Sequence, residues 1–451
     1  MQLEITKEYI EQVEEAIARN DKDFILETMG DMYPADITTV LYELNEEESK
    51  YVMYLLPADV GAEILSDLDE DIRTDFLKEF TSEEIARYVN LMESDDAVDI
   101  LNELSVKRRE EVIALLENEE KVADIIDLLH YEEDCAGGLM AKEFIKVNLN
   151  WRVRQCIEEI RRQAENVEKI YAIYVVDHRD ILVGRIGMKD LILANDETKI
   201  ADIYDPDVIS IESYKDEEEV VAIMQKYDLE AIPVVNIQGK LLGRITIDDV
   251  VDVIQEQAEL SRQLMTGITE GVEEDDSIIR LSRARLPWLI IGMVGGLIGA
   301  EFIKQFERDI AIVPAMAIFM PLITATGGNV GIQSSSLIIQ TLANKSIIMD
   351  NISQRLFKVL LVALINGIII SSLVMGFNVL LDRDVTLSVV VSIALFSVIL
   401  LASFMGTIMP MILDKFGVNP AVAAGPFITT ANDLLGLAVY FLVAHLLLTS
   451  L

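Results

Sequence analysis

A single carboxylate, Asp433, lies in the apolar segment that covers residues 420–449. This segment is long enough to cross the ~30 Å hydrocarbon core of a bilayer. An ionised carboxylate at that depth costs about 2.5–3.5 kcal/mol on membrane-insertion scales unless something neutralises it. The basic residues of this part of the chain lie near the ends of its apolar segments, so we favour a passing cation. The alternative is a protonated, structural Asp433 that hydrogen-bonds to Asn432 or Thr430.

Another apolar segment, residues 311–343, carries three glycines and several hydroxyl and amide side chains between Thr324 and Ser334. Irregular backbone at membrane depth is tolerated only where it is buried in protein or lines a water-filled cavity. We expect an interrupted span that lines an ion path, because Asn329 and Gln333 would otherwise each need a buried partner. The alternative is that the small residues are plain helix-packing positions.

Charge is distributed unevenly along the chain. The 451 residues include 37 Lys/Arg and 77 Asp/Glu, a formal net charge of −40. Residues 284–451 carry eight residues of each sign, so residues 1–283 hold the whole acidic excess. Such a surface repels phosphate backbones, which argues against a nucleic-acid partner, and it attracts divalent cations.

Residues 1–133 have the periodicity of short helices. Apolar residues recur every three or four positions, as in Ile85, Val89 and Met92. A Pro-Ala-Asp motif at residues 34–36 returns 23 residues later, at residues 57–59. Short helices that repeat at such an interval are typical of a helical superhelix, so we expect an all-α acidic domain here. An acidic helical spacer is the alternative.

Residues 134–257 contain an internal repeat with an offset of 59 residues. The matching segments are 174–176 with 233–235, 184–186 with 243–245, and Asp190 with Asp249. Each copy predicts a strand, a polar turn, a second strand and a helix whose start the aspartate can cap. The repeat resembles a tandem pair of CBS (cystathionine-β-synthase type) modules, an α/β fold, over residues 134–200 and 201–257. Pairs of this kind often bind adenine nucleotides, and the residues leave open whether this pair does.

A polar connector over residues 258–283 leads to a membrane domain over residues 284–451. Its five apolar stretches cover about 286–306, 311–343, 357–381, 386–412 and 420–449. Lys and Arg are more frequent on the flanks that lie inside if the acidic half is cytosolic, and the acidic N-terminus does not read as a signal peptide. We expect a multi-pass protein of the bacterial inner membrane with cytosolic N-terminal domains and its C-terminus outside.

Four segments carry a resemblance to a known family. They are YEEDCAGGLM at 131–140, RARLPWL at 283–289, GGNVGIQ at 327–333 and GPFITTANDLLGL at 425–437. They resemble the MgtE family of magnesium transporters, and the likeness covers essentially the whole chain in the same domain order. The resemblance implies a homodimer with five spans per subunit and a Mg²⁺ path along the dimer interface. The residues it places on that path are Asp433, Thr429, Asn329 and Gly328.

The same resemblance implies regulatory Mg²⁺ sites in the acidic half. The residues it assigns to them are Glu63, Asp95, Asp99, the Gly138 carbonyl, Asp216, Glu218, Asp228, Asp249 and Asp252. The connector departs from the family pattern, because Gln257, Leu260 and Ser261 stand where acids are expected. Glu256 and Glu259 are displaced, and Asn419 replaces an Asp at the cytosolic mouth, so a connector-to-mouth site is doubtful or rebuilt.

The sequence thus predicts a multidomain membrane protein with a helical superhelix, a CBS pair, a helical connector and a five-helix transmembrane domain. Its predicted function is Mg²⁺-selective, channel-like import down the electrochemical gradient, closed by Mg²⁺ that binds the acidic cytosolic domains. No nucleophile–base pair, phosphate-binding loop or redox centre predicts an enzyme. The alternatives are a coupled divalent-cation exchanger and a membrane-anchored sensor in which the CBS pair binds a nucleotide.

Overall fold

The computed structural model describes residues 5–164, 167, 169–269, 272, 277–343, 352–423 and 425–449. It divides into two compact units, Met1–Val251 and Asp252–Leu451. The first unit contains short helices followed by two small sheets, and the second contains long apolar helices.

Ten short helices fill the N-terminal part of the first unit. They are α1 (Lys7–Arg19), α2 (Lys22–Met29), α3 (Pro34–Leu41), α4 (Glu46–Leu55), α5 (Ala58–Asp67), α6 (Glu70–Leu77), α7 (Ser82–Val89), α8 (Ser94–Glu103), α9 (Val106–Ala114) and α10 (Glu119–Leu128). Capping boxes fix the starts of two of them, because Asn45 and Thr81 exchange hydrogen bonds with a glutamate three residues later.

Alternate helices repeat at a constant interval. The helices α3, α5, α7 and α9 begin at Pro34, Ala58, Ser82 and Val106, which are 24 residues apart, and each packs against the next of this series. The Pro-Ala-Asp motif repeats after 23 residues, one fewer than the interval between the helices. The difference arises because Pro34 is the first residue of α3, whereas Pro57 precedes α5 as its N-cap. The predicted helical superhelix is confirmed.

The rest of the first unit contains the predicted repeat. Its first copy consists of β1 (Ile145–Asn148), α11 (Val153–Gln163), β2 (Ile173–Val176), β3 (Leu182–Ile186) and α12 (Met188–Leu193), and its second of β4 (Ile211–Glu212), α13 (Glu217–Tyr227), β5 (Ala231–Val235), β6 (Leu241–Thr246) and the start of α14 (Ile247–Thr266). Each copy forms a three-stranded sheet in which a parallel pair is followed by an antiparallel hairpin.

The two hairpin turns are equivalent in detail. Asp177 in the first and Asn236 in the second accept hydrogen bonds from the backbone two and four residues later. Left-handed residues at equivalent positions close them, Asp180 at φ 62° and Gly239 at φ 79°. The copies also exchange backbone hydrogen bonds across their pseudo-twofold, from Leu182 N–H to the Gly239 carbonyl and from Leu241 N–H to the Asp180 carbonyl.

The second unit is built on long helices. They are the C-terminal part of α14, α15 (Ile278–Lys304), α16 (Glu307–Ile312), α17 (Met316–Ala343), α18 (Ile352–Leu380), α19 (Val385–Lys415) and α20 (Pro426–Thr449), with a 3₁₀ turn at Pro420–Ala423. In the described residues, α15, α18, α19 and α20 are long and apolar enough to cross a membrane. The helix α17 is equally long but carries more polar residues, and we count it as the fifth candidate span.

The structure corrects one prediction about these spans and extends another helix. The segment 324–334 does not interrupt its span, because α17 is one continuous helix from Met316 to Ala343. Its glycines allow close helix packing instead: the Gly331 carbonyl lies 2.4 Å from where a Cβ on Gly406 of α19 would stand. The first apolar stretch, about 286–306, is part of a 27-residue helix that begins eight residues earlier, at Ile278, and has Pro287 inside it.

The helix α19 forms the centre of this unit, and α17, α18 and α20 pack around it. Val391, Leu395 and Ile399 of α19 are fully buried in this core. The charged residues of α19, Asp414 and Lys415, lie at its C-terminal end. The apolar core around α19 therefore fixes the positions of α17 and α20, which carry the predicted path residues.

Candidate ion-binding sites

Three of the predicted path residues lie together in the second unit. A Cβ atom on Gly328 of α17 would stand 3.3 Å from the Thr429 methyl group and 3.7 Å from Asp433 Oδ1, both on α20. The side chain of Asp433 is half-buried. The absence of a side chain at position 328 therefore leaves the space in which the carboxylate and the Thr429 side chain face α17.

Asp433 has no partner of opposite charge in the described part of the chain. Among the residues that the structure describes, it makes no hydrogen bond and no ion pair, with Asn432 and Thr430 included. The predicted alternative, a structural Asp433 hydrogen-bonded to one of these two residues, therefore has no support in the geometry. A half-buried carboxylate without a protein partner can still coordinate water or a cation.

The fourth predicted residue, Asn329, follows Gly328 but lies on the exposed side of α17, as does Gln333 one turn later. In the single chain both side chains are exposed, so neither depends on a buried partner within the protein. One helical turn separates them, so their amides share a face of α17. This helix therefore presents polar groups on the surface of the second unit.

The sequence suggested Asn432 only as a hydrogen-bond partner for Asp433. The Asn432 side chain is 2% exposed, and neither its amide nitrogen nor its amide oxygen finds a hydrogen-bond partner in the described part of the chain. It occupies the space beside Gly331, where a Cβ would clash with its amide. Two unsatisfied polar atoms beside the Asp433 carboxylate mark this turn of α20 as a polar centre within an apolar bundle.

The first unit has an acidic cluster, which we define as Glu93, Asp95, Asp96, Asp99, Glu143, Asp248 and Asp249. Burial raises the pKa of Asp95 well above its ordinary range, and the negative charge of Asp249 raises it further. Burial also raises the pKa of Asp249 to about 6, although two hydrogen bonds from Thr246 act in the opposite direction. Burial is the larger cause of both shifts, and the smaller part comes from the negative charges of neighbouring carboxylates on α8 and at the start of α14, which repel one another.

Asp99 belongs to the same cluster. Solvent reaches part of its side chain, yet the protein packed around the carboxyl raises the pKa of Asp99 to about 7, against the opposing charge of Arg73. Three predicted regulatory residues, Asp95, Asp99 and Asp249, are therefore brought into one electrostatic cluster.

An arginine ties the cluster to the CBS pair. The guanidinium of Arg244 on β6 donates to both carboxylate oxygens of Glu93, at 2.8 and 2.9 Å, and Arg244 is 3% exposed. It also donates to the carbonyl of Glu143. The Glu143 carboxylate in turn accepts hydrogen bonds from the backbone and hydroxyl of Ser94 at the start of α8. The residues predicted from the sequence did not include Arg244, Glu93, Asp96, Glu143 or Asp248.

The structure does not gather the other predicted regulatory residues into a metal site. Among the described residues, no three Asp, Glu, His or Cys side chains lie close enough together to hold a metal ion. Asp216 instead accepts a hydrogen bond as the N-cap of α13, and Asp228 ends the same helix with φ 50°. Gly138 lies in a tight turn where a Cβ would stand 2.4 Å from the Glu132 carbonyl. Glu63 and Glu218 are exposed, on α5 and α13.

The remaining predicted residues belong to the second unit. Asp252 and Glu256 are exposed on α14, and Glu259 accepts a hydrogen bond from Arg262, which lowers the pKa of Glu259. Asn419 accepts a hydrogen bond from the Ala421 backbone and so caps the 3₁₀ turn before α20. Glu259 and Asn419 therefore each have a local hydrogen-bond partner.

A small cavity lies between the two CBS copies. Its wall includes Tyr174, Arg185, Asp207, Val208 and Pro233. The Tyr174 hydroxyl is buried there and has no hydrogen-bond partner in the described part of the chain. An acid, a base and an unsatisfied hydroxyl around an apolar surface are suited to a polar ligand with a flat ring.

Family models match three parts of the chain. They are the divalent cation transporter model MgtE over residues 320–443, the MgtE intracellular N domain over residues 32–134, and the CBS domain over residues 136–197 and 200–256.

Several curated proteins match over most of their length. The magnesium transporter MgtE of Thermus thermophilus is 31% identical over 447 residues, which cover 97% of this chain and 98% of that protein. The magnesium transporter MgtE of Bacillus subtilis is 30% identical over 94% of each chain. That of Enterococcus faecalis is 36% identical over 72% of each.

Two solved structures match the acidic half. The soluble part of a magnesium transporter covers 56% of this chain and 99% of its own, with a TM-score of 0.50 and 31% identity. The cytosolic domain of the Mg²⁺ channel MgtE in complex with ATP covers 54% of this chain and 99% of its own, with a TM-score of 0.51 and 33% identity.

Proposed function

Since this chain belongs to the MgtE family of magnesium transporters, we propose that it imports Mg²⁺ through a channel-like path that cytosolic Mg²⁺ closes. The family relationship makes it a multi-pass, non-enzymatic membrane transporter with a cytosolic N-terminal region. The proposal also includes selectivity for Mg²⁺ and flux down the electrochemical gradient. It further includes location in the bacterial inner membrane with the C-terminus outside. The domain limits are also part of the proposal: 1–133, 134–200, 201–257, 258–283 and 284–451.

The observation that carries the proposal is the Asp433 carboxylate beside Gly328 and Thr429. Mg²⁺ requires near-octahedral oxygen ligands and gives up its water reluctantly. A half-buried carboxylate next to a residue without a side chain can hold a hydrated ion through its waters. The Thr429 hydroxyl and nearby carbonyls would orient those waters, and the ion would neutralise the carboxylate during its passage.

The exposed amides of α17 support a homodimer with the path at its interface. Asn329 and Gln333 lie on the surface of the chain, and polar side chains that face lipid are unfavourable. A second copy against this face would cover them and place two Asp433 carboxylates around a common axis, which doubles the charge offered to a divalent ion.

The acidic cluster supplies a physical basis for closure by Mg²⁺. Its carboxylates repel one another, and a divalent cation that bridges them removes this repulsion. Binding at 1 mM corresponds to only about −4 kcal/mol per ion. A shift from 1:99 to 99:1 needs about 5.5 kcal/mol, which about four ions would supply if each favoured the closed state tenfold.

Flux into proteoliposomes tests the proposed path. We expect Asp433→Asn to lower Mg²⁺ uptake at least tenfold at equal amounts of folded protein. Asp382→Asn is the matched control, because it removes the same charge at an exposed position with φ 54°, which Asn tolerates. Equal uptake by wild type and Asp433→Asn would remove the central residue of the proposal.

A coupled exchanger is the first alternative transport mechanism. Voltage-clamp recording separates the two mechanisms, because a channel passes currents far larger than a carrier cycle supports. A current that requires an opposing gradient of a second cation would favour the exchanger.

The cavity between the CBS copies favours a second function, the binding of an adenine nucleotide. A related protein, the cytosolic domain of the Mg²⁺ channel MgtE, has been solved in complex with ATP. Asp207 is placed to accept hydrogen bonds from ribose hydroxyls, and Val208 and Pro233 offer an apolar surface for the base. Calorimetric titration of the full chain with ATP tests this. We expect Asp207→Ala to weaken binding at least tenfold, while Asp202→Ala, exposed and outside the cavity wall, binds as the wild type does. Undiminished binding by Asp207→Ala would contradict the assignment.

A further inference from the structure

A groove of about 550 Å³ opens between α17 and α18 in the second unit. Its walls are mostly apolar, and three of its residues, Ile318, Leu373 and Phe377, expose 61–67% of their surface. Both helices are membrane-span candidates. Groups exposed on this face therefore meet hydrocarbon, and a groove in the face is filled by something apolar.

One end of the groove is polar. Asn378 is 1% exposed, lies in the groove wall, and its amide nitrogen has no hydrogen-bond partner among the described residues. Next to it, the Arg383 guanidinium stands 3.4 Å from the Asn378 amide oxygen and 5.3 Å from the ring centre of Phe319. A buried donor without an acceptor is unfavourable, so Asn378 indicates a missing acceptor.

Arg383 is available to a ligand. Asp382 and Asp384 flank it in sequence, but Asp384 caps α19 through the Thr386 backbone. No ion pair joins Arg383 to either of them in the described part of the chain. The guanidinium instead lies over Phe319 and next to Asn378. In this position its N–H donors lie at the mouth of the groove.

The position of these donors matches the level of lipid headgroups. Phe319 lies in the first turn of α17, and Arg383 lies just beyond the last turn of α18. Both therefore belong to the same end of the helix bundle, where a span meets the interface. The apolar wall runs from this end along the helices toward the middle of the bilayer.

We propose that this groove binds an anionic phospholipid, with one acyl chain along its apolar wall and its phosphate at Arg383 and Asn378. Arginine pairs with phosphate through two parallel N–H donors, and the amide nitrogen of Asn378 supplies a third donor. A net negative headgroup is favoured over a zwitterionic one, because the latter adds a cation next to the guanidinium. The site is separate from the Mg²⁺ path, since neither Asp433 nor Gly328 belongs to its wall.

The test uses the full chain in detergent micelles with phosphatidylglycerol or phosphatidylcholine added at equal mole fractions. Native mass spectrometry counts the retained lipids, and thermal unfolding measures the stabilisation. We expect the wild type to retain phosphatidylglycerol in preference to phosphatidylcholine and to melt at a higher temperature with it. Arg383→Gln and Asn378→Leu should each lose at least tenfold in retention.

The controls separate a built site from general attraction to anionic lipid. Arg308→Gln removes an exposed charge on the same side of the membrane and should keep the preference. Leu373→Trp should reduce retention by filling the groove, with all charges unchanged. Asn378→Leu should change the melting temperature in lipid-free detergent little, because it removes an unsatisfied donor together with only one long hydrogen bond from Arg383.

Three results would overturn the proposal. One is equal retention of the two lipids by the wild type. Another is an equal loss in Arg308→Gln and Arg383→Gln, which would mean nonspecific attraction. The third is efficient disulfide cross-linking of Leu373→Cys between two chains, which would mean that a second copy covers the groove. Because Mg²⁺ uptake is not a readout here, failure of this proposal leaves the proposed transport function unaffected.

Discussion

The Asp433 carboxylate and the acidic cluster are both negative and partly shielded from water, but their surroundings differ. Asp433 stands alone, with no hydrogen bond or ion pair in the described residues. The cluster contains seven carboxylates, and Arg244 is paired with one of them, while the Arg73 charge favours ionisation of Asp99. A permeating ion must leave as readily as it enters, so a single carboxylate suits passage. A group of mutually repelling carboxylates suits regulation, because an ion that bridges several of them changes the stability of the whole acidic cluster.

Removal of the arginine that ties the cluster to the CBS pair should produce the largest change in stability. Arg244→Met leaves Glu93 without its buried partner, which costs about 3 kcal/mol or more in a buried pair. Trp151 is the only tryptophan of the first unit, so in a Trp288→Phe background its fluorescence during denaturation reports this unfolding.

Lys78→Met is the control for this prediction, because Lys78 pairs with Asp75 on the exposed surface and should give no measurable change. The double variant Arg244→Met with Glu93→Leu should recover part of the loss. Equal effects of Arg244→Met and Lys78→Met would mean that the pairing of Arg244 with Glu93 adds no stability. The proposed difference between the cluster and the unpaired Asp433 would then not hold.

Neutralising the cluster should separate regulation from transport. In the double variant Asp95→Asn with Asp249→Asn, less repulsion remains for Mg²⁺ to relieve. We expect the cytosolic Mg²⁺ concentration for half-closure to rise more than tenfold, about 1.4 kcal/mol or more. Uptake without internal Mg²⁺ should stay at the wild-type level, and proteoliposomes loaded with graded Mg²⁺ measure both quantities.

The double variant Asp23→Asn with Asp59→Asn is the matched control, since it removes two exposed charges outside the cluster. It should close at the wild-type Mg²⁺ concentration. A parallel shift in both double variants would indicate that total charge, rather than the cluster, sets the response.

Much of the fold could be predicted because its signals are local. The repeat offset of 59 residues predicted equivalent strands and turns, and the structure has them at the equivalent positions, down to Asp177 and Asn236. The helix interval was one residue short because Pro57 lies before its helix and not in it.

Prediction failed where packing between distant segments decides the outcome. The glycines of residues 324–334 suggested broken backbone, but their contacts with Asn432 and Gly406 let α17 pack closely and stay helical. The partnership of Arg244 with Glu93 joins residues 151 positions apart, and no local pattern contains it. The adjacent acids Asp95-Asp96 and Asp248-Asp249 were the available signal for the cluster.

Removing Mg²⁺ should distinguish the two regions in the intact protein. A ligand at ten times its dissociation constant stabilises the state it binds by about 1.4 kcal/mol, so 10 mM Mg²⁺ at a millimolar site should raise the melting temperature of the acidic half by a few degrees. Thermal unfolding followed by Trp151 fluorescence in the Trp288→Phe background, with and without a chelator, measures this shift. Asp433→Asn should keep the shift, and Asp95→Asn with Asp249→Asn should lose most of it. The opposite pattern would assign the stabilising ions to the membrane region.

The smallest effect is expected at Gly328, next to Asp433. A methyl group there would stand 3.3 Å from the Thr429 methyl group, close enough to require a small shift of α17 or α20 but not to prevent folding. We expect Gly328→Ala to lower Mg²⁺ uptake two- to fivefold, less than about 1 kcal/mol in the barrier, with the half-closing Mg²⁺ concentration unchanged. Gly292→Ala is the control, because its Cβ would meet nothing within 4 Å. The opposite result would be a changed half-closing Mg²⁺ concentration with an unchanged uptake rate. Gly328 would then act in regulation, and the ion path would have to lie elsewhere on α17.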